Sequence, residues 1–566
     1  MKGLRSGMNR LRQFRNYCGL IKISRCGFPW GKTTKRPIAS VYTNCKTAVA
    51  NLAAIFSCIA AFTATAQQQS FPQHLFFRVT LGPQFSSPVS GRLLLFVSPG
   101  HGDKAVDTDM MEPTKTYVAA KEVSSLSPGQ TVSVDADDLV FPGPLSDAPA
   151  GDYEVQAVLD VGHTYNYSGR ASGDLESDVA ALPAWNPQQQ LPPALTLTMT
   201  VPEPPDPLSN SPELLSALEL VDFRSPVLSR FWGRDVHMKA WVLLPPGYRA
   251  HPGQHYPTVY FTHGFGDTLA SLRSRYAPLL HDRMQSGKMP PMIWVLLDES
   301  TLTGTHEFAD SVNNGPWGTA LTTELIPSLE GHYRMDARSS GRFLQGHSSG
   351  GWATLWLQTA YPKIFGGTWS TSPDPSDFHA FSTIDLYAAN ANMYHRGDGS
   401  AEPIIRVHTK VVATMEQLAH LEEVLGDYGG QLASFEWVFS PRGSDGRPLQ
   451  MFNRTTGAVD PKVVEYWEEH YDIAHRIEAH WTTLAPDLRG KIHLFVGTDD
   501  TFYLDGAAHR LQALLDRLHG LAQFNFLPGR THFDLYRNGD DGTALFDRIA
   551  AEMYAVARPA GKPTGN

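Results

Sequence analysis

Cysteine is scarce in this sequence and unevenly placed. Only four cysteines occur in 566 residues, and all four (Cys18, Cys26, Cys45 and Cys58) lie within the first 66. If that segment is removed, the remaining chain has no cysteine at all. This excludes a disulfide framework, a zinc site with cysteine ligands and a cysteine nucleophile.

Acidic residues are missing from the same segment. Residues 1–66 contain eleven Lys or Arg, and the first acidic residue of the chain is Asp103. Without those eleven, the 47 basic residues fall to 36 against 57 acidic ones, which gives a net charge of −21. A surface of that sign repels phosphate backbones, so we expect no nucleic-acid partner.

The acid-free segment has the pattern of an export signal. A basic stretch precedes the mostly apolar residues 48–62, and Ala64-Thr65-Ala66 provides the small residues of a cleavage point. We predict that residues 1–66 are a leader cleaved after Ala66 and that the protein is secreted or periplasmic. The apolar run is short for a bilayer span, which argues against a retained membrane anchor. We therefore expect no stable membrane insertion once residues 1–66 are removed. An organelle transit peptide stays open because the segment is rich in arginine and free of acids, and a start codon set too far upstream stays open because the basic part is long.

Residues 67–201 are predicted to form a β-sandwich-like domain. Short runs rich in β-branched and aromatic residues are separated by turns that contain Pro and Gly, and no long helical period occurs. The strand-like runs are 74–81, 92–98, 152–160 and 194–201. We expect a packing or positioning domain, with a carbohydrate- or surface-binding module as the alternative. The proline-rich residues 202–214 are then a stiff linker.

The pattern changes to alternating apolar strands and helices in residues 215–560. The predicted strands are 239–244, 258–262, 292–297, 342–345, 365–370, 491–496 and 523–527, and the predicted helices are 319–332, 349–361 and 507–519. Such alternation favours a mostly parallel sheet with helices on both faces, whose ligands bind at the carboxyl ends of the strands. The predicted fold class is therefore α/β, preceded by the all-β domain.

A five-residue motif directly after one predicted strand indicates a nucleophile. Gly346-His347-Ser348-Ser349-Gly350 matches Gly-x-Ser-x-Gly between a strand and a helix, which is the setting of a nucleophile elbow. The elbow strains the backbone of the serine and leaves no room for side chains two positions before and after it. Ser348 has glycines at both positions, whereas Ser349 would have His347 at one of them. We therefore predict Ser348 as the nucleophile.

A serine hydroxyl needs a base, and the base needs an acid that orients it. In hydrolases with this elbow, the acid and then the histidine follow the serine along the chain. Two later predicted strands are followed by Asp499-Asp500 and by His532, at the same sheet edge as the elbow. We predict Asp500 as the acid and His532 as the base, with Asp499 as the alternative acid.

The tetrahedral oxyanion of such a reaction needs two backbone donors. We predict that the N–H groups of Ser349 and Phe265 supply them. Phe265 lies in the loop after the predicted strand 258–262. His263, at the start of that loop, is expected to shape the loop and not to act as a base.

These motifs resemble those of the esterase D family, which includes enterochelin esterases, S-formylglutathione hydrolases and mycobacterial mycolyltransferases. The matching residues are Pro245-Pro246-Gly247-Tyr248, Tyr256-Pro257-Thr258-Val259-Tyr260, His263-Gly264, Glu324-Leu325-Ile326-Pro327, Gly346-His347-Ser348-Ser349-Gly350-Gly351, Gly497-Thr498-Asp499-Asp500 and His532. The resemblance implies an α/β-hydrolase fold, no metal or organic cofactor, and ester cleavage through an acyl-enzyme. It does not extend to the β-rich front of the chain.

An insertion at residues 376–490 departs from compact members of that family. It contains Trp437, Trp467 and Trp481. We predict a lid over the rim of the active site, with a remote surface elaboration as the alternative. Asn314 and Trp317, in the loop after another predicted strand, are predicted to line the substrate cleft.

The predicted function is that of a serine carboxylic-ester hydrolase. Its expected substrate is an exported or extracellular ester, either a small molecule or an ester linked to a polysaccharide. Two alternatives stay open: an acyltransferase that passes the acyl group to a sugar or alcohol, and a binding protein with an idle hydrolase scaffold. The intact Ser, Asp and His set argues against the idle scaffold. The sequence specifies neither the substrate nor the oligomeric state.

Overall fold

Two sheets hold most of the strands in this computed structural model, which describes residues 74–426 and 428–559. The described residues from Leu75 onward belong to one compact unit. The predicted leader, residues 1–66, and its cleavage point after Ala66 lie outside the described residues. Within the part of the chain that is described, no helix combines the length and the apolar character that a membrane span needs.

The first sheet lies in the β-rich region that ends near residue 201. Its nine strands are β1 Phe76–Leu81, β2 Val89–Pro99, β3 Tyr117–Leu126, β4 Thr131–Asp135, β5 Val140–Phe141, β6 Gly151–Asp160, β7 Leu175–Ser177, β8 Ala180–Trp185 and β9 Ala194–Thr200. The strand order is β4-β1-β9-β7-β6-β2-β3-β5, and β8 pairs with β6. All these pairings are antiparallel except that of β1 with β9. The four predicted runs correspond to β1, β2, β6 and β9.

Alternating side chains build the core of this region. In β1, Phe77, Val79 and Leu81 are fully buried, because every second residue of a strand points to the same face. Strands β1 and β2 are separated in the strand order, yet their apolar residues share one core with those of β6. The predicted β-rich region is therefore present with a core of its own, and its sandwich-like architecture stays a prediction.

Apart from α1, which lies between β6 and β7, the helices follow the β-rich region. The helices of the described residues are α1 Tyr165–Ser168, α2 Pro212–Ala217, α3 Pro226–Trp232, α4 Leu269–Ser271, α5 Ala277–Gln285, α6 Trp317–Ala320, α7 Ile326–His332, α8 Ser349–Ala360, α9 Met415–Leu425, α10 Gln431–Phe439, α11 Pro461–Tyr471, α12 Ile473–Leu488, α13 Asp505–Arg517 and α14 Ala544–Ala557. Short π-helical turns, Leu272–Tyr276 and Leu321–Leu325, join α4 to α5 and α6 to α7. The predicted helix at 319–332 is thus a chain of three helical pieces.

The second sheet has eight strands and belongs to the α/β region. They are β10 Leu218–Arg224, β11 His237–Leu243, β12 Thr258–Thr262, β13 Ile293–Leu297, β14 Arg342–His347, β15 Gly367–Thr371, β16 Ile492–Gly497 and β17 Ala522–Leu527. Their order is β10-β11-β13-β12-β14-β15-β16-β17. Strand β11 pairs antiparallel with β10 and β13, and the other five pairs are parallel. Strand β10 is the one member of this sheet that the sequence analysis does not predict.

Helices cover both faces of the second sheet, and two successive residues of β14 show why. Phe343 belongs to the same buried cluster as Leu280 of α5 and Met553 of α14. Leu344, the next residue, belongs to a different cluster, which includes Leu329 of α7. Because neighbouring strand residues point to opposite faces, a sheet covered on both sides needs apolar residues at both positions.

The segment predicted as an insertion, residues 376–490, contains α9 to α12 and a hairpin of Pro403–Val407 and Lys410–Thr414. Its Trp467 is fully buried and packs against Phe378 and Phe439. The same core cluster includes Trp352 of α8. The insertion therefore shares a buried core with the α/β region, and Trp467 lies inside that core. Its role as a lid stays a prediction.

Candidate active site

The backbone of Ser348 has the strained geometry that a nucleophile elbow requires. Its φ of 60° and ψ of −126° lie in a region that residues other than glycine rarely adopt. A side chain on Gly346 would approach the carbonyl oxygen of Gly350 to 2.2 Å, and one on Gly350 would approach that of His263 to 2.5 Å. Main-chain oxygens thus occupy the space that side chains would need at both flanking positions.

The two neighbouring serines have different surroundings. Ser349 is fully buried, and its hydroxyl donates to Asp374 Oδ2 at 2.6 Å. Its N–H lies in the first turn of α8, among the donors that a helix leaves without an intrahelical partner. Ser348, in contrast, is only partly buried. The hydroxyl of Ser349 is therefore bound to Asp374, while its N–H makes no hydrogen bond within the helix.

His532 and Asp500 form a buried pair. His532 Nδ1 lies 3.0 Å from Asp500 Oδ2, and neither side chain is more than 4% exposed. Burial alone raises the pKa of the Asp500 carboxyl, but His532 beside it outweighs that effect and holds the pKa below its ordinary value. The other carboxylate oxygen accepts the N–H of Phe502 at 3.0 Å, which fixes the orientation of the group.

Asp499, the alternative acid, faces another partner. Its Oδ2 lies 2.7 Å from Nδ1 of His408, which belongs to the turn of the insertion hairpin. The side chain of Asp499 is 29% exposed, whereas that of Asp500 is fully buried. The structure thus brings Asp500, and not Asp499, to His532.

The elbow and the Asp500–His532 pair meet at one edge of the second sheet. Strands β14, β15, β16 and β17 are parallel neighbours, so the loops that follow them gather at the same edge. The ring of His347, next to Ser348, has its centroid 4.4 Å from that of His532. The residue beside the predicted nucleophile is therefore in contact with the ring of the predicted base.

The loop after β12 lies against the elbow. A side chain on Gly264 would approach the Cβ of Ser348 to 3.3 Å. The N–H of Asp267 donates to Gly264 O at 3.2 Å, and Gly266 has a φ of 84°. These values are typical of a type II turn with Phe265 and Gly266 at its centre. Phe265, the second predicted oxyanion donor, thus stands on a tight turn beside the elbow.

Both ring nitrogens of His263 take part in holding this loop. Nδ1 lies 2.9 Å from Gly264 O, and the N–H of Glu299 donates to Nε2 at 3.0 Å. The side chain is fully buried. A base needs a nitrogen that faces the reacting group, so these contacts agree with the loop-shaping role expected for His263.

Three buried carboxyl groups lie near the elbow in addition to the predicted residues. Burial raises the pKa of Asp374 to about 6 and that of Glu299 to about 8, and it raises the pKa of Glu307 further above its ordinary value. Asp374 follows the carboxyl end of β15, just as Asp500 follows that of β16. That shared position is the signal by which Asp374 could be found from the sequence.

Asn314 lies between the paired segments Asp310–Ser311 and Gly315–Pro316 in the connection after β13, and Trp317 begins α6 directly after them. The indole N–H of Trp317 donates to Asn314 O at 2.9 Å. The Trp317 ring stacks on the buried His306, with centroids 3.8 Å apart. The structure therefore joins the two residues to each other, and their place in a substrate cleft stays a prediction.

Comparison with known proteins gives one family match. The model of the Esterase family, described as “Putative esterase”, matches residues 234–542. This range includes the elbow, Asp500 and His532. Together with the strand order of the second sheet, the match confirms the predicted α/β-hydrolase fold. None of the curated proteins matches the chain.

Several solved structures are similar to the chain at low identity. A ferulic acid esterase is 14% identical, with a TM-score of 0.37, and the match covers 60% of this chain and 97% of that one. A ferulic acid esterase from Anaeromyces mucronatus is 14% identical (TM-score 0.32; 59% and 88% covered). An S-formylglutathione hydrolase from Staphylococcus aureus is 12% identical (TM-score 0.35; 60% and 98% covered).

Proposed function

Because the chain belongs to the Esterase family of carboxylic-ester hydrolases, we propose that Ser348, His532 and Asp500 form its catalytic triad and hydrolyse esters through an acyl-enzyme. One observation carries the proposal. The buried His532–Asp500 pair, with Nδ1 and Oδ2 3.0 Å apart, lies at the same sheet edge as the strained backbone of Ser348. Nucleophile, base and orienting acid are the three roles that acyl transfer to a serine needs.

The first step is the attack of Ser348 Oγ on the carbonyl carbon of the ester. Nε2 of His532 accepts the proton of the hydroxyl as the new C–O bond forms. Asp500 holds Nδ1 of the same ring and stabilises the imidazolium that results. The buried position of Asp500 suits this role, because the N–H of Phe502 holds one carboxylate oxygen while the other faces His532.

The carbonyl oxygen becomes an oxyanion in this step. The N–H of Ser349, at the start of α8, and the N–H of Phe265, on the turn after β12, are the proposed donors. Donors held by rigid backbone need no reorganisation as the charge develops, and each contributes about 3 kcal/mol to the stability of the transition state.

The acyl-enzyme then forms and breaks by mirrored proton transfers. His532 gives its proton to the leaving alcohol as the C–O bond of the ester breaks. A water molecule next loses a proton to His532 and attacks the acyl carbon. The bond to Ser348 breaks, its oxygen regains the proton, and the free acid leaves. The proposed substrate is a small or polysaccharide-linked ester outside the cell.

Ser348→Ala in the full chain tests the proposal directly. Turnover of short p-nitrophenyl esters should disappear, while the unfolding curve measured by circular dichroism stays that of the parent. Ser340→Ala, at an exposed serine before β14, is the matched control and should keep the parental rate. Parental turnover in Ser348→Ala would refute the proposed nucleophile. Transfer of the acyl group to an added alcohol or sugar, with no free acid, would instead favour an acyltransferase.

A further inference from the structure

The turn that carries Phe265 is contacted by a residue from the β-rich region. That residue is Tyr167, in the short helix α1, about 100 positions earlier in the chain. Its hydroxyl donates to the carbonyl oxygen of Asp267 at 2.5 Å. Its ring meets the ring of Phe265 edge-on, with centroids 4.8 Å apart and planes at 75°. One side chain thus contacts the turn at both Phe265 and Asp267.

Asp267 is the residue that closes this turn. Its N–H donates to Gly264 O at 3.2 Å, and its Oδ2 accepts the hydroxyl of Tyr276 at 2.9 Å. Its carbonyl oxygen has Tyr167 as its hydrogen-bond donor. The main chain of Asp267 is therefore fixed on one side by the turn itself and on the other by the β-rich region.

Tyr167 is itself held in place from two directions. On the side of the β-rich region, the carboxylate of Asp160 accepts the N–H of Tyr165 at 2.8 Å, which anchors α1. On the side of the insertion, Asn166 Nδ2 donates to the carbonyl oxygens of Glu422 and Gly426 at 3.0 and 2.9 Å. The helix that presents Tyr167 is therefore clamped between β6 and the end of α9.

The hydroxyl of Tyr167 is a permanent donor. Burial raises its pKa well above the ordinary value near 10, and the acidic groups of Asp298 and Asp267 act in the same direction. The hydroxyl therefore stays protonated over the range in which a serine hydrolase works. Aromatic contact with Phe265 adds a directional constraint on the same turn.

We propose that Tyr167 is a positioning residue for the oxyanion loop, the turn of residues 264–267 that carries Phe265. The β-rich region thereby completes the catalytic apparatus of the α/β region. Tyr167 holds Phe265 and Asp267 in the geometry in which the N–H of Phe265 faces the oxyanion. This inference rests on the proposed function, because it assigns the loop its role in ester hydrolysis. It gives the β-rich region a task within the active site, as distinct from a separate binding module.

Three variants of the full chain test the inference. Tyr167→Phe removes the hydrogen bond and keeps the ring, Tyr167→Leu removes both contacts, and Tyr165→Phe is the matched control. Tyr165 lies on the same helix, is also buried and donates its hydroxyl to Asp107, away from the loop that carries Phe265 and Asp267. The readouts are kcat and KM for a p-nitrophenyl ester and the rate constant of labelling by a fluorophosphonate, both per titrated active site.

Loss of positioning should lower kcat and leave KM unchanged, because the oxyanion exists only in the transition state. Tyr167→Phe should reduce kcat roughly fivefold, the value of one ordinary hydrogen bond, and Tyr167→Leu should reduce it by about 10- to 100-fold. The labelling rate should fall in parallel, since phosphonylation also places a negative oxygen in the same site. Tyr165→Phe should keep the parental kcat and labelling rate.

Several results would overturn the inference. Parental kcat in both Tyr167 variants would do so, and so would an equal loss in Tyr165→Phe. A fall in the number of titratable sites at constant rate per site would assign Tyr167 a purely structural role. Absence of turnover in the parent chain would refute the proposed function itself, whereas an active parent with unchanged Tyr167 variants would refute this inference alone.

Discussion

Asp499 and Asp500 are adjacent aspartates with different surroundings, and they give a sharp test at the scale of single residues. Asp500→Asn removes the charge beside His532 and leaves an amide that cannot stabilise the imidazolium. We expect kcat to fall by about 10³- to 10⁴-fold. Asp499→Asn disrupts only a partly exposed contact with His408, so kcat should change little. Steady-state kinetics of both variants tests which aspartate is the acid. An equal fall of kcat in the two variants would contradict the assignment of Asp500.

Glu299 carries a stability prediction of defined sign. Burial raises its pKa from an ordinary value near 4.5 to about 8. Between these pH values the folded chain holds a proton that the unfolded chain has released. The free energy of unfolding therefore loses the contribution of Glu299 as the pH rises from about 4.5 to 8. Glu299→Gln has no proton to lose, so it should gain stability relative to the parent as the pH rises through that window.

Urea unfolding at pH 5 and pH 8 measures this effect. The difference in unfolding free energy between Glu299→Gln and the parent should move in favour of the variant at pH 8. Glu465→Gln, at an exposed position of α11, is the matched control for the change of side chain. A difference between Glu299→Gln and the parent that is the same at both pH values would contradict the prediction.

Single residues also show what the sequence reveals of the candidate site. Ser348, Asp500 and His532 lie in the loops that follow three strands of one sheet, so the local pattern is enough to nominate them. Tyr167 has no such signal, because its contacts with Phe265 and Asp267 join parts of the chain about 100 residues apart. Contacts of that kind depend on the packing of whole regions, which a local pattern does not encode.

At the scale of secondary-structure elements, strands buried on both faces are the most predictable. β12 is found at its predicted bounds, and β14 begins at its predicted residue, because continuous apolar runs leave little choice of structure. β3 and β10 are missed, since their polar and apolar residues lack a run long enough to stand out. Strands that bury one face depend on partners that the sequence alone does not name.

The insertion hairpin supports the loop that carries Asp500. Arg406, at the end of its first strand, donates from Nε to Asp500 O at 2.7 Å and from Nη2 to Asp505 Oδ1 at 2.8 Å. Its guanidinium also lies 4.2 Å from the centre of the Tyr503 ring. A planar, multidentate group is needed to make these contacts together, so a lysine does not replace it.

Arg406→Ala and Arg406→Lys should therefore both loosen the acid loop. We expect kcat to fall by about 10-fold or more and the unfolding free energy to fall by about 2 kcal/mol, the scale of hydrogen bonds to a charged group. Lys410→Ala, at an exposed residue of the same hairpin, should change neither quantity. Kinetics and urea unfolding measured together test this, and parental kcat in Arg406→Ala would contradict it.

At the scale of the whole molecule, the β-rich region and the insertion share a core. Leu94 and Phe96 of β2 pack in one cluster with Val424 and Leu425 of α9. Arg92 of the same strand donates to the carbonyl oxygens of Glu423 and Val424 at 2.8 and 2.9 Å. These contacts link the first sheet to the insertion, whose hairpin also contacts the loop that carries Asp500. We therefore expect the β-rich region and the α/β region to unfold together.

Phe96→Ala tests this coupling. Truncating a fully buried phenylalanine costs about 3 to 5 kcal/mol of stability. Loss of activity and loss of secondary structure should shift to lower temperature by the same amount, because the β-rich region does not unfold alone. Leu191→Ala, at a residue that is 90% exposed, should leave both transitions in place. Two separate transitions in Phe96→Ala, with activity surviving the first, would contradict the coupling.

The role of Ser348 as nucleophile is the claim on which the mechanism depends, and covalent labelling tests it most directly. The full chain is treated with a fluorophosphonate, digested and mapped by tandem mass spectrometry. We predict a single adduct on Ser348, with hydrolysis of p-nitrophenyl esters lost in proportion to labelling. An adduct on another residue in step with that loss, or full activity after complete labelling of Ser348, would contradict it.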